Sequence, residues 1–212
     1  MFHLPSLYPI TDQQRSGLPH SEQVRLLAAG GARFVQLRDK DSSPREFQLE
    51  AIRAMTVARQ FGVRIIINDR VDVALAVEAD GVHLGQDDMP PRAARLLLGE
   101  ESLIGLSTHN LQQAIDAAAE PVDYLALGPI FTTSSKSDTA PPVGLDGLTS
   151  VRQAIGRKPL VAIGGITVCN AQAVLRAGAD SLAVISALFE DSNQISNTVQ
   201  AFLALTTFPI RG

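Results

Sequence analysis

Three groups of polar residues stand directly behind short apolar runs, and their side chains are of the types that hold phosphate oxygens and a hard cation. The first is Gln36, Arg38 and Lys40. Spaced by two, they share one face of an extended chain while Val35 and Leu37 take the other. An arginine grips two phosphate oxygens through its planar fork and a lysine adds a point charge, so this trio suits an anionic ligand. A solvated strand end would also look like this, since Arg and Lys are commonly superficial. The second group is Asn68 with Asp69 behind the run 65–67, joined by Asp87 and Asp88 behind 81–84. If the two runs are neighbouring strands, Asp69 and Asp88 face one another, and two carboxylates with phosphate oxygens nearby form the oxygen environment that Mg²⁺ prefers. Taken singly, each aspartate reads more simply as a helix cap or a turn residue. Taken with Arg38 and Lys40 at the same end, they read as a metal-assisted diphosphate site.

The third group gathers hydroxyls and glycines. Ser107-Thr108-His109 follows the run 103–106, and the polar stretch 132–142 holds Thr133, Ser135 and Lys136. Hydroxyls and a lysine on such a loop suit closure over phosphate oxygens, although Ser and Thr enrich ordinary linkers too. Gly164-Gly165, Ile185 and Ser186 follow the last two apolar runs, where glycines let backbone N–H groups approach a monophosphate. His109 has no carboxylate partner evident in the sequence and is read first as a structural or positioning residue.

These groups need a scaffold that brings run ends together. Apolar runs of strand length occur at 7–10, 34–37, 64–67, 81–84, 103–106, 124–127, 160–163 and 181–185. Segments with helical spacing of Ala and Leu separate them, at 22–29, 44–60, 71–78, 90–98, 111–119, 145–155, 170–177 and 194–205. Ser43 before Pro44 and Thr167 three residues ahead of Asn170 mark helix starts, while Gly30, Gly62, Gly99 and Gly178 fall just past helix ends. Regular alternation implies parallel strands joined by helical crossovers, and about eight units predict a single α/β domain over 1–212, a closed (β/α)₈ TIM barrel. The competing open, doubly wound sheet would usually carry a glycine-rich turn after its first strand, and Thr11-Asp12-Gln13-Gln14-Arg15 is not one. In a barrel the reactive residues sit where strands end, which is where all three groups lie.

Composition narrows the function further. A net charge of −4 offers no broad basic surface, so neither a dedicated nucleic-acid binder nor an anionic-membrane binder is expected. The single cysteine, Cys169, makes neither an intramolecular disulfide nor a cysteine cluster for zinc. The apolar start of the chain is soon broken by Thr11 to Arg15, and no apolar run approaches the roughly 18 residues of a membrane span. The expectation is a cytoplasmic protein acting on small molecules, with a homodimer left open.

Six pieces in order, Gln36-Leu37-Arg38-Asp39-Lys40, Ile67-Asn68-Asp69, the run from Gly81 to Asp88, Ser107-Thr108-His109, Gly128-Pro129-Ile130-Phe131 with Lys136, and Ile163-Gly164-Gly165-Ile166, carry a resemblance to the thiamine-phosphate synthase (thiamine-phosphate pyrophosphorylase) family. The resemblance runs from Tyr8 to Ala187. It implies a (β/α)₈ barrel that joins 4-amino-2-methyl-5-hydroxymethylpyrimidine diphosphate to thiazole phosphate, giving thiamine phosphate and diphosphate, with Mg²⁺ as cofactor. It further implies that Gln36, Arg38, Lys40, Asn68 and Lys136 contact the pyrimidine diphosphate, that Asp69 and Asp88 ligate Mg²⁺, and that Ser107 lies near the pyrimidine and leaving group. Thr133, Ser135, Gly165, Ile185 and Ser186 would hold the thiazole phosphate. Arg38, Lys40, Ser107 and Lys136 would carry the catalysis. A thiazole tautomerase of the same superfamily is the alternative, since an isomerase would not need the diphosphate half of the site, and a phospho-ligand binder without turnover is a third reading.

Overall fold

The computed structural model describes residues 3–133 and 141–206. Eight strands, β1 (Leu7–Pro9), β2 (Phe34–Leu37), β3 (Arg64–Asn68), β4 (Gly81–Leu84), β5 (Leu103–Thr108), β6 (Tyr124–Leu127), β7 (Leu160–Ile163) and β8 (Ser181–Val184), pair in parallel in the order 1-8-7-6-5-4-3-2. The sheet returns on itself at β1 and β2 through one bridge, Ile10 with Gln36, where the Thr11 N–H donates to the Gln36 carbonyl at 2.9 Å. The expected (β/α)₈ barrel is what forms. Its helices are α1 (Gln13–Ser16), α2 (His20–Ala29), α3 (Pro44–Phe61), α4 (Val71–Ala76), α5 (Pro91–Leu98), α6 (Leu111–Ala118), α7 (Gly144–Ile155), α8 (Val168–Arg176) and α9 (Ile195–Thr206).

Parallel strands covered by helices bury both faces, which is why Ile65, Ile66 and Ile67 run consecutively and are all fully buried. The longest helix, α3, presents Ala51, Ala54 and Ala58 to that layer, and these small side chains let it lie close to the sheet. Its start is fixed by a capping box in which Ser43 and Glu46 satisfy each other's backbone N–H, as the Ser43-Pro44 signal predicts. Thr167 and Asn170 form a second box before α8. Two expectations shift. The segment after β1, read as a turn, contains α1, capped by the Asp12 carboxylate and ended by Gly17 at φ 67°. β5 extends two residues beyond its apolar run, because Thr108 pairs with Leu127 and donates its hydroxyl to the Ala126 carbonyl at 3.0 Å. Ser107 is therefore a strand residue rather than a loop residue.

The amino-terminal rim of the barrel shows a repeat. Asp80, Asp123 and Asp180 each immediately precede an even-numbered strand, and each carboxylate accepts a backbone N–H from the neighbouring odd strand: Ile65 at 2.7 Å, Ile104 at 2.8 Å and Leu160 at 2.9 Å. Arg95 and Arg152 reach from α5 and α7 to the second and third of these aspartates at 2.8 and 2.5 Å, and also donate to nearby loop carbonyls. A carboxylate that takes a strand N–H and a guanidinium together is worth more than a surface ion pair, because its removal strands two donors.

This rim lies at the opposite end from the strand termini that carry the polar groups. Asp180→Ala should therefore cost about 2 kcal/mol of stability, a fall in Tm of roughly 4–8 °C, while kcat stays within about twofold of wild type. Thermal unfolding and steady-state rates measured together check this, and a large loss of kcat with unchanged Tm would contradict it.

Candidate active site

At the carboxyl ends of the strands lies a cavity of about 550 Å³. The sequence-predicted residues Gln36, Arg38, Lys40, Asn68, Asp69, Asp88, Ser107, Thr133, Gly165, Ile185 and Ser186 all line it. Ser135 and Lys136 lie outside the described residues, so nothing places them. His109 also lines the cavity.

The cationic side is built by β2 and the turn after it. The Arg38 backbone N–H donates to Thr11 Oγ1 at 3.2 Å, which ties the segment beyond β2 to the segment beyond β1. Asp39, between the two cations, does not line the cavity. One of its carboxylate oxygens accepts the N–H groups of Asp41 and Ser42 at 3.0 and 2.9 Å, closing the turn that brings Lys40 round. Lys40 is half exposed and its ammonium is bonded to the Asp69 carboxylate.

The acidic side is crowded. Asp69 follows β3 in the left-handed region, φ 61°, a conformation that Asp and Asn tolerate better than other non-glycine residues. Its N–H donates to the His83 carbonyl at 2.8 Å. Burial pushes the Asp69 carboxyl above its ordinary pKa, the neighbouring Asp88 adds to the rise, and Lys40 pulls against it. Asp88 folds back so that one oxygen accepts the Gly85 N–H at 2.7 Å. A Cβ at position 85 would lie 2.9 Å from that oxygen, so glycine here makes room for the carboxylate.

Two neighbouring carboxylates repel one another, and a divalent cation between them would relieve that repulsion. Among the described residues no group of three or more His, Cys, Asp or Glu side chains gathers to hold one. That donor set fits Mg²⁺, which keeps several waters and is usually held by one or two carboxylates plus substrate phosphate oxygens.

Across the mouth, Gly164 at φ 102° and Gly165 at φ 65° form the turn after β7. A Cβ on Gly165 would meet Phe131 Cβ and the Thr132 carbonyl at 2.8 Å. The pair is therefore required by backbone conformation and by the close approach of the loop after β6, and both glycines line the cavity. Ser186 opens a single 3₁₀ turn directly after Ile185. His109 is bonded through Nδ1 to the Gly128 carbonyl at 2.7 Å, which makes Nδ1 the donor.

Three inward-facing residues were given no role by the sequence reading: Tyr8, His83 and Tyr124 make a buried hydrogen-bonded floor beneath Gln36 and Ser107. Their signal was available in the register, since His83, Gly105 and Tyr124 occupy one row across β4, β5 and β6, and only a glycine leaves room between the two rings. His20 was missed as well. Fully buried at the start of α2, it bonds Thr11 Oγ1 through Nδ1 at 2.7 Å and holds Nε2 3.5 Å from Asp39, without hydrogen-bond geometry. It thus stands behind the Arg38 to Lys40 segment.

Burial lowers the His20 pKa below 6.5, outweighing the pull of Asp39, Glu50 and Asp12. A histidine whose folded pKa is depressed contributes its stability above the unfolded pKa and loses it as pH falls toward the folded value. Unfolding free energy should therefore decline from about pH 6.5 downward, and His20→Gln should flatten that limb; a limb unchanged in the variant would assign the acid sensitivity elsewhere.

The chain is also similar to known proteins along most of its length. Residues 7–188 match the model of a family described as thiamine monophosphate synthase. A thiamine-phosphate synthase of Chloroflexus aurantiacus is 47% identical over 203 residues, covering 94% of this chain and 93% of its own. A thiamine-phosphate synthase of Albidiferax ferrireducens is 50% identical over 183 residues, covering 86% and 83%. Among solved structures, the thiamine phosphate pyrophosphorylase of Pyrococcus furiosus superposes with a TM-score of 0.84 at 36% identity, with 94% of each chain covered.

Proposed function

The chain belongs to the thiamine monophosphate synthase family, and from that membership and the geometry of the barrel mouth we propose that it joins an aminopyrimidine-methyl diphosphate to a thiazole phosphate, forming thiamine phosphate and diphosphate. The observation that carries this reading is the pairing of unlike halves in one cavity. Arg38, Lys40, Asp69 and Asp88 stand on one side, and Gly164, Gly165 and Ser186 on the other. The first half suits a metal-bound diphosphate and the second a monophosphate.

The chemistry asks for little beyond holding and charge. The bond between the pyrimidine methylene carbon and the diphosphate oxygen breaks with its electron pair leaving on the diphosphate, and the aminopyrimidine delocalises the positive charge that remains. The thiazole nitrogen carries no hydrogen, so its lone pair closes the new C–N bond without a protein base. Arg38 and Lys40 meet the charge that grows on the leaving group, and Ser107 stands near the reacting carbon. Asp69 and Asp88 would hold Mg²⁺, which when bound neutralises diphosphate oxygens and orients them for departure. Walls built on strand ends hold the two substrates in line, and such orientation is itself worth several orders of magnitude in rate. A tautomerase has no leaving group, and the crowded pair of carboxylates with its lysine would have no task in it.

Two measurements test this. Purified protein with both substrates should release thiamine phosphate and diphosphate, with the rate falling sharply when Mg²⁺ is chelated; isomerisation of a thiazole phosphate without coupling would replace the reading by the tautomerase. Asp69→Asn keeps a residue that tolerates the left-handed backbone yet removes the charge, so kcat/KM should fall roughly 10²- to 10³-fold with Tm unchanged. Retention of full Mg²⁺-dependent activity would remove Asp69 from the metal site.

A further inference from the structure

The floor of the cavity is one continuous hydrogen-bond chain drawn from five strands. Gln36 Nε2 donates to Tyr8 Oη at 2.8 Å, Tyr8 Oη meets Tyr124 Oη at 2.8 Å, Tyr124 Oη meets His83 Nδ1 at 3.1 Å, and His83 Nε2 meets Ser107 Oγ at 2.9 Å. The imidazole lies nearly flat on the Tyr124 ring, centroids 5.5 Å apart at 24°, in the space that Gly105 leaves. A Cβ at position 105 would come within 2.2 Å of Tyr124 Cζ and 2.5 Å of His83 Nδ1. Both ends of the chain, Gln36 and Ser107, line the cavity, whereas Tyr124 does not.

Each interior member gives one hydrogen and takes one, so the chain has two self-consistent polarities. In the first, which is the amide orientation seen, Gln36 donates to Tyr8, Tyr8 to Tyr124, Tyr124 to Nδ1, and Nε2–H to Ser107. The Gln36 carbonyl oxygen is then left as an acceptor for the cavity and the Ser107 hydroxyl as a donor. In the second polarity every bond is reversed, and the ends become a donor at Gln36 and an acceptor at Ser107. Passing between them turns three hydroxyls, flips one amide and moves the imidazole proton from one ring nitrogen to the other, with no proton gained or lost. Burial raises the pKa of both tyrosines, so both phenols keep the hydrogens that the chain needs.

We propose that His83, through its tautomer, is the positioning residue that fixes which end of this floor offers a donor and which an acceptor, so that Ser107 is held as a donor when an aminopyrimidine binds. An amine beside a ring nitrogen is a donor next to an acceptor, which the first polarity complements. A ring with a carbonyl beside an N–H calls for the second. The inference rests on the pyrimidine substrate proposed above and assigns a role to Tyr8, His83 and Tyr124 that the transfer chemistry alone does not require.

The test uses Tyr124→Phe, which removes one hydroxyl and leaves the ring in place. If polarity reaches Ser107 through the chain, kcat/KM in Tyr124→Phe falls about tenfold, and the double variant with Ser107→Ala is within twofold of Ser107→Ala alone. Effects that multiply, or a lower Tm with unchanged kinetics, would make Tyr124 merely structural and overturn the proposal. In protein labelled with ¹⁵N-histidine and saturated with the pyrimidine diphosphate in the absence of thiazole, His83 should carry its proton on Nε2 alone. Protonation at Nδ1 or at both nitrogens would overturn the proposal as well. The labelling experiment needs only binding, so it reads the chain even if wild-type protein were to form no thiamine phosphate, a result that would instead sink the proposed transfer reaction.

Discussion

A parallel sheet closed into a ring sends the carboxyl ends of all its strands to one rim, and everything else in this molecule follows from that constraint. The two rims have taken opposite duties. At one, Asp80, Asp123 and Asp180 each satisfy a neighbouring strand's N–H, and Arg95 and Arg152 brace two of them from the outer helices. At the other, charged groups are left open to a cavity in which they repel as much as they attract. Asp69 beside Asp88 would be a poor choice for stability, and Asp69 also sits at a backbone angle that most residues avoid. Such residues are tolerated where a rigid frame holds them, and the frame here is secured from the far end.

Below the charged rim the barrel changes character again. Tyr8, Tyr124 and His83 are buried polar groups beneath the cavity, with Phe34 packed against Tyr8, and each finds a partner among the others. Burying them without partners would cost several kcal/mol, and the hydrogen bonds among them offset that cost. The interior therefore grades from an apolar core, through a hydrogen-bonded floor, to a charged mouth. That order suits a ligand with a flat heteroaromatic ring and an anionic tail.

Much of this could be read in the chain beforehand, for reasons that differ by element. Consecutive apolar residues such as Ile65 to Ile67 announce a doubly covered strand, and Ser43-Pro44 or Thr167 announce a helix start, because those signals are local. The rim residues Arg38, Lys40, Asp69 and Asp88 were legible only as a set: each alone reads as a solvated strand end, a cap or a turn, but strand ends of a barrel gather at one rim, where all four line one cavity. What escaped was set by partners far away in sequence. Tyr124 reads as one more bulky strand residue until its hydroxyl meets Tyr8, 116 positions earlier. His20 lies just ahead of the helical pattern that starts at residue 22, and its burial behind Asp39 is set by the packing of α2. The glycine pair 164 and 165 was legible in place but not in cause, since the nearness of Phe131 and Thr132 is a tertiary fact.

The seam between β1 and β2 is built differently from the rest of the ring. The other seven junctions of the ring are full ladders, whereas this one has a single bridge at Ile10 and Gln36. Its remaining ties are side chains: Gln36 on the Tyr8 hydroxyl, and the Thr11 hydroxyl under the Arg38 backbone N–H. The weakest joint of the hoop is thus clasped by Gln36 and by the segment that carries Arg38, two of the residues that face the cavity. A molecule seated on them works as a rivet across the joint, and the energy of gripping it is also energy against parting the staves. Ligand binding energy spent at Gln36 and Arg38 would therefore add to the stability of the ring at its thinnest junction.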